Sequence, residues 1–299
     1  MSQLLKITTL IYALIIPCIP ALSQSAPQQK QLHVSFAPLS SVENFRWSIA
    51  GNEQGTNPNI LSELNFTRLK RTGFSIQGCY QLSNRFGLKA AAIVQYGYSG
   101  RVTDIDYAGN NRRGLVTFLK FRSRKNNTCD YWLQGRYQLL RSGMVSVAAG
   151  GGYFISKAGY RMQGRLDADI KGIYNAQWQG PLLDIDAAIM LPQHWEIRAD
   201  ITGQYHTYYA EGDWRLRSDF RHPLSFIHRA RGWGINGLLG LHYQLNPQVG
   251  LQLKGFLQRW QTGTGSDLLY MADDRQVSTR MNESIKKQLG IGLEAVFGF

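Results

Sequence analysis

From residue 31 onward the apolar positions of this chain recur at every second residue. In 86–98 the residues Phe86, Leu88, Ala90, Ala92, Val94, Tyr96 and Tyr98 alternate with Gly87, Lys89, Ala91, Ile93, Gln95 and Gly97. Alternation of this period puts one set of side chains on each face of a β-strand, and a strand of this length is unusual in a soluble domain. The same pattern runs through 32–49, 60–82, 131–139, 145–155, 183–191, 195–205, 233–243, 249–253 and 289–299, which makes ten strands. Four short turns join them, at 83–85, 141–143, 192–194 and 246–248, in alternation with five longer polar stretches.

Short turns at one end and long loops at the other are the arrangement of an outer-membrane barrel, and an even strand number puts both ends of the barrel on the periplasmic side. The face opposite the apolar one carries Asp184, Asp186, Glu196, Arg198 and Asp200, which suit a polar lumen as an ion-pair network. A soluble ten-stranded barrel would show the same alternation with its faces exchanged. Aromatic strand ends, a final strand ending in Phe299 and the N-terminal segment favour the membrane. That segment pairs Lys6 with an apolar run over 7–19, too short to span a bilayer, and ends in Ala21-Leu22-Ser23. The expectation is a signal peptide over 1–23 and one all-β domain over 24–299, a ten-stranded antiparallel transmembrane barrel of the outer membrane.

Composition agrees. Mean hydropathy is −0.27, as suits strands that show lipid only alternate residues. Cys79 and Cys129 are too few for a disulfide framework in an exported chain. The net charge of +13 implies anionic partners. After export these are lipid headgroups, lipopolysaccharide among them, and not nucleic acid; the chain is expected as a monomer. The stretch 108–127 holds Arg112, Arg113, Lys120, Arg122, Arg124 and Lys125 with no acid, and 215–231 holds Arg215, Arg217, Arg221, Arg229 and Arg231 against Asp219. Arg112, Arg113, Arg122, Arg124, Arg215 and Arg217 are therefore candidate anion or lipopolysaccharide ligands.

Several short runs resemble the omptin family of outer-membrane endopeptidases. They are Ser62-Glu63-Leu64-Asn65-Phe66, Val102-Thr103-Asp104-Ile105-Asp106-Tyr107, and Asn246-Pro247 with Gly255, Arg259, Gly265 and Leu269-Tyr270. The resemblance implies a ten-stranded barrel cleaving peptides without a cofactor, with lipopolysaccharide required. It also implies that Asp104 and Asp106 hold a water that an Asp-x-His dyad across the mouth activates. No Asp-x-His occurs in 211–223, where Arg215 and Arg217 take the dyad's positions, so Asp219 and His222 are the candidate partner half. By strict alternation Asp104 and Asp106 fall on the lipid-facing side, and a bulge near Gly97 or Gly100 is needed to turn them inward. The alternative function is a non-proteolytic barrel whose basic loops bind lipopolysaccharide or another anionic or host ligand.

Overall fold

The structure is a computed structural model that describes residues 32–164 and 169–299; the signal segment over 1–23 lies outside the described residues. Antiparallel segments form one sheet: β1 (Leu32–Ile49), β2 (Ser62–Gln81), β3 (Phe86–Gly109), β4 (Arg113–Arg122), β5 (Asn126–Ser142), β6 (Val145–Gln163), β7 (Ile170–Met190), β8 (Trp195–Trp214), β9 (Phe226–Asn246), β10 (Val249–Thr262), β11 (Gly265–Tyr270) and β12 (Gln276–Gly298). β1 pairs with β2 on one side and β12 on the other, which closes the sheet. β4 and β5 share one ring position beside β3, and β10 and β11 share another between β9 and β12. The ring has the ten positions that the alternation predicts. Closure of the ring satisfies the strand edges at the height of the lipid, as hydrocarbon demands.

Large apolar side chains cover the outside of the lower wall, Phe74, Val94, Leu133, Ile201, Leu239 and Ile291 among them. Tyr96, Tyr98, Tyr153, Tyr205 and Trp233 border this belt above, and Phe86, Trp195 and Phe299 below, the two aromatic girdles of a membrane barrel. The polar stretches, expected as loops, are largely strand. β3 runs on to Gly109, turns within 110–112 and returns as β4; β8 runs on to Trp214. Above the lipid no outward position has to be apolar, so the alternation fades while the backbone ladder continues.

The inversion of β3 is present. Below, Lys89, Gln95 and Gly97 face the lumen; above, Val102 and Asp104 do, with Gln95 and Asp104 both buried. The slip occupies one height on three adjacent ring positions. β2 shifts register between Thr67 and Arg71 around Arg68, whose φ of 53° is left-handed. The break between β4 and β5 contains Lys125 at φ 57°. Between them, a Cβ on Gly100 would stand 2.3 Å from Leu69 Cδ2, so a larger residue there requires the Leu69 side chain to move.

Within the lumen the side chains are layered. A cavity of about 640 Å³ opens at the short-turn end, lined by the ion pairs Arg136–Asp186, Lys89–Asp200 (3.1 Å) and Arg198–Glu196 (2.7 Å), which take up four of the five charges expected in the lumen. Higher up, aromatic rings from opposite walls touch. Phe45 stacks on Tyr160 (centroids 4.4 Å apart) and meets Trp178 edge-on, and Trp47 lies against Tyr174. β1 and β7 are diametrically opposed in the ring, so these contacts bridge the barrel. A fully buried charge cluster underlies the layer. Glu43 accepts from Arg71 (3.1 Å) and from the Tyr160 hydroxyl (2.8 Å), with Lys286 Nζ at 3.9 Å and also over the Trp260 ring.

Two buried cations share one carboxylate there, so its loss leaves uncompensated charge. Glu43→Gln is expected to lower unfolding stability in detergent by about 3–5 kcal/mol. Arg71→Met in that background should recover part of the loss. A urea titration checks both, and a double variant weaker than Glu43→Gln alone would contradict the coupling.

Candidate functional site at the extracellular mouth

After the inversion, Asp104 lies between its cross-strand neighbours Leu64 and Leu119, and Asp106 between Ser62 and Thr117. Both stand above Tyr98, outside the lipid belt. Flanked by two leucines, Asp104 is 4% exposed. Burial, and then the negative charge of Asp106, pushes its carboxyl up to about 7.

The opposite side of the mouth is the segment 215–225 between β8 and β9. Leu216 and Phe220 pack down onto the aromatic layer, and Ser225 ties the segment to β8 through its N–H on Gly212 O (2.7 Å) and its hydroxyl, which accepts from Trp214 N (2.9 Å). Arg217 is held charged chiefly by its hydrogen bonds to Asp219, and Asp106 adds to this from across the mouth. The charge that Asp106 meets from this segment is an arginine.

His222 binds Asp213, not Asp219. Its Nδ1 lies 2.7 Å from Asp213 Oδ1 and its Nε2 3.2 Å from the Arg217 carbonyl. Both ring nitrogens therefore face acceptors, whereas a general base needs an unprotonated nitrogen aimed at its water. Asp213 occupies the outward parity of β8, between inward Gly212 and Trp214, and Arg215 Nε also binds it at 2.7 Å. Asp219 is exposed and paired with Arg217. The expected pairing of Asp219 with His222 is thus corrected: each has another partner, because the segment folds His222 back over the outside of β8.

An aspartate–histidine pair that sequence spacing missed lies inside the aromatic layer. His228 Nε2 is 3.1 Å from Asp267, and His228 Nδ1 is 2.8 Å from the Tyr174 hydroxyl, which reaches Tyr208 at 2.6 Å. His228 is fully buried. The two are register partners on β9 and β11, legible only once the break at 263–264 is allowed for.

The candidate anion ligands divide. Arg112 is bound through two nitrogens to Glu63, Arg215 to Asp213 and Arg217 to Asp219. Arg113, Arg122 and Arg124 have no acidic partner among the described residues. Arg122 stands directly opposite Arg101 on the outer face, with Lys120 next along the strand. Arg101 and, on β2, Arg68 and Lys70 are exposed members of this collar that loop counting missed, and Lys120, which it included, is exposed beside them. The collar sits just above Tyr96 and Tyr98.

Because Asp104 holds its proton more tightly folded than unfolded, its ionisation opposes folding. The penalty is absent below about pH 4, grows as pH rises and is complete above about 7. Asp104→Asn is expected to match the wild type at pH 4 and to exceed it at pH 8, by up to about 4 kcal/mol. Urea unfolding at the two pH values measures this, and equal gains at both would contradict it.

The model of the Protochlamydia outer membrane protein family matches residues 42–299. No curated protein sequence matches the chain. Among solved structures the chain is similar to the outer membrane protease OmpT from Escherichia coli, at TM-score 0.68 and 14% identity, covering 93% of this chain and 99% of that one. It also aligns with the outer membrane protein OprG from Pseudomonas aeruginosa, at TM-score 0.38 and 11% identity over 92% of this chain and 98% of that one. The first likeness shows the fold; the family match covers most of the chain and its description agrees with the lipid belt and closed ring. The chain belongs to the Protochlamydia outer membrane protein family and is a β-barrel of the outer membrane.

Proposed function

We propose that this protein is a non-proteolytic outer-membrane barrel that grips phosphate-bearing lipid of the outer leaflet, lipopolysaccharide in particular, on a basic collar. The observation that carries the reading is the outward pair Arg101 and Arg122. Like charges directly opposite on a sheet destabilise it, and these two have no acidic partner among the described residues, whereas Arg112, Arg215 and Arg217 do. A phosphate between them turns that repulsion into two charge-assisted hydrogen bonds. Their height, just above the upper tyrosines, is where headgroups lie.

Each such cation near an anionic surface contributes about 1 kcal/mol. Arg101→Gln/Arg122→Gln is therefore expected to weaken binding of the detergent-solubilised barrel to lipid A vesicles by roughly 30-fold, and to lower its salt dependence. Arg112→Gln, which removes a cation already neutralised by Glu63, should change little. Unchanged affinity in the double variant would refute the reading.

The second reading is omptin-like proteolysis, supported by the inward Asp104–Asp106 pair and by the likeness in fold to an outer membrane protease. Against it stand the arginine facing Asp106 and the engagement of both His222 nitrogens. Refolded protein with lipopolysaccharide is expected to leave fluorogenic peptides intact. Cleavage that disappears in Asp104→Ala/Asp106→Ala would establish the proteolytic reading instead.

A further inference from the structure

β4 rises beyond its neighbour. Of its ten residues only Arg122 pairs with β6, at Gln163, the last residue of that strand. Among the described residues the other nine have β3 on one side and no strand on the other, an open edge about 30 Å long at 3.3 Å per residue. The hydrogen-bonding parity is fixed at its base, where Ser123 N–H donates to Gly100 O (3.0 Å). Alternation then directs the backbone groups of Thr117, Leu119 and Phe121 to β3, and those of Phe118 and Lys120 to the open edge.

The side chains are as unusual as the edge. Leu115, Val116, Phe118 and Leu119 are all exposed, and they lie well above the lipid belt, where no hydrocarbon covers them. An exposed apolar strand with a free edge is a template for another strand. Its charge selects which. Arg113, Lys120 and Arg122 lie on β4 itself, Arg124 and Lys125 follow, and 107–128 contains no acidic residue. A second copy would bring three more cations and no carboxylate to the same ladder, which opposes self-pairing in any register. An acidic strand meets the opposite situation.

We propose that the outer edge of β4 is a β-augmentation site for an extended segment of a partner protein, apolar at its centre and acidic at its ends. Main-chain bonds to Phe118 and Lys120 hold the added strand. Leu115, Val116 and Leu119 cover its apolar side chains, and the flanking arginines set its preference for carboxylates.

The test uses the full barrel in nanodiscs and two synthetic peptides, Glu-Glu-(Val-Thr)₃-Glu-Glu and the same core flanked by lysines. The acidic peptide is expected to bind at least tenfold more tightly than the basic one and to slow exchange of the Phe118 and Lys120 amides at least tenfold. The amides of Leu119 and Phe121 should not change. Phe118→Pro and Lys120→Pro each remove a free-edge donor while sparing the ladder to β3, since proline is tolerated where the N–H faces out. Both are expected to abolish binding with the gel mobility of the folded barrel intact, and Lys120→Gln should weaken it only a few-fold. Equal binding of the two peptides, binding that survives both prolines, or no binding would overturn the proposal. Cross-linked dimers that the prolines abolish would assign the edge to a second copy and overturn it equally.

Discussion

In a strand, a one-residue slip carries every later side chain to the other face. In this barrel the slip falls at one height on three adjacent ring positions, around Arg68, Gly100 and the break at 123–125. Below that height β3 presents Val94, Tyr96 and Tyr98 to lipid and Lys89 and Gln95 to the lumen. Above it the same strand turns Val102 and Asp104 inward and Arg101 outward. At this height Leu69 packs into the space that Gly100 leaves.

The consequences reach both faces. Inside, the upper wall joins an aromatic layer that bridges the barrel from Phe45 and Trp47 to Tyr174 and Trp178, and two aspartates come to lie near one another at its edge. Outside, the cations of three strands gather above the upper aromatic girdle. The rim segment pairs Arg215 with Asp213 and Arg217 with Asp219 and lays Arg221 over the Tyr270 ring, whereas Arg101 and Arg122 on the wall have no carboxylate partner among the described residues.

The lower barrel was legible because lipid imposes a period-two pattern on every strand that crosses it. Ten strands, four turns and the lumen pairs Arg198–Glu196 and Lys89–Asp200 follow from parity or agree with it. Above the lipid the constraint lapses. β4 reads as a basic loop because its alternation lapses above the lipid, and three of the six candidate anion ligands are paired by carboxylates, Arg112 by Glu63 on β2 and Arg215 and Arg217 by Asp213 and Asp219 two residues away. Proximity in sequence pairs His222 with Asp219, three residues away, whereas its partner Asp213 is nine residues away across a folded-back segment. The His228–Asp267 pair depends on a register that a strand break conceals. The inversion itself was foreseeable, since alternation pointed two aspartates at lipid.

Single-cysteine scanning across the slip tests its existence most directly. With Cys79 and Cys129 replaced by serine, cysteines placed at 96, 98, 101, 103, 102 and 104 are probed with a membrane-permeant and a water-soluble maleimide. Permeant-only labelling is expected at 96 and 98, water-soluble labelling at 101 and 103, and protection at 102 and 104. Water-soluble labelling at 102 and 104 with protection at 101 and 103 would mean that β3 runs through without inversion, and would contradict the account.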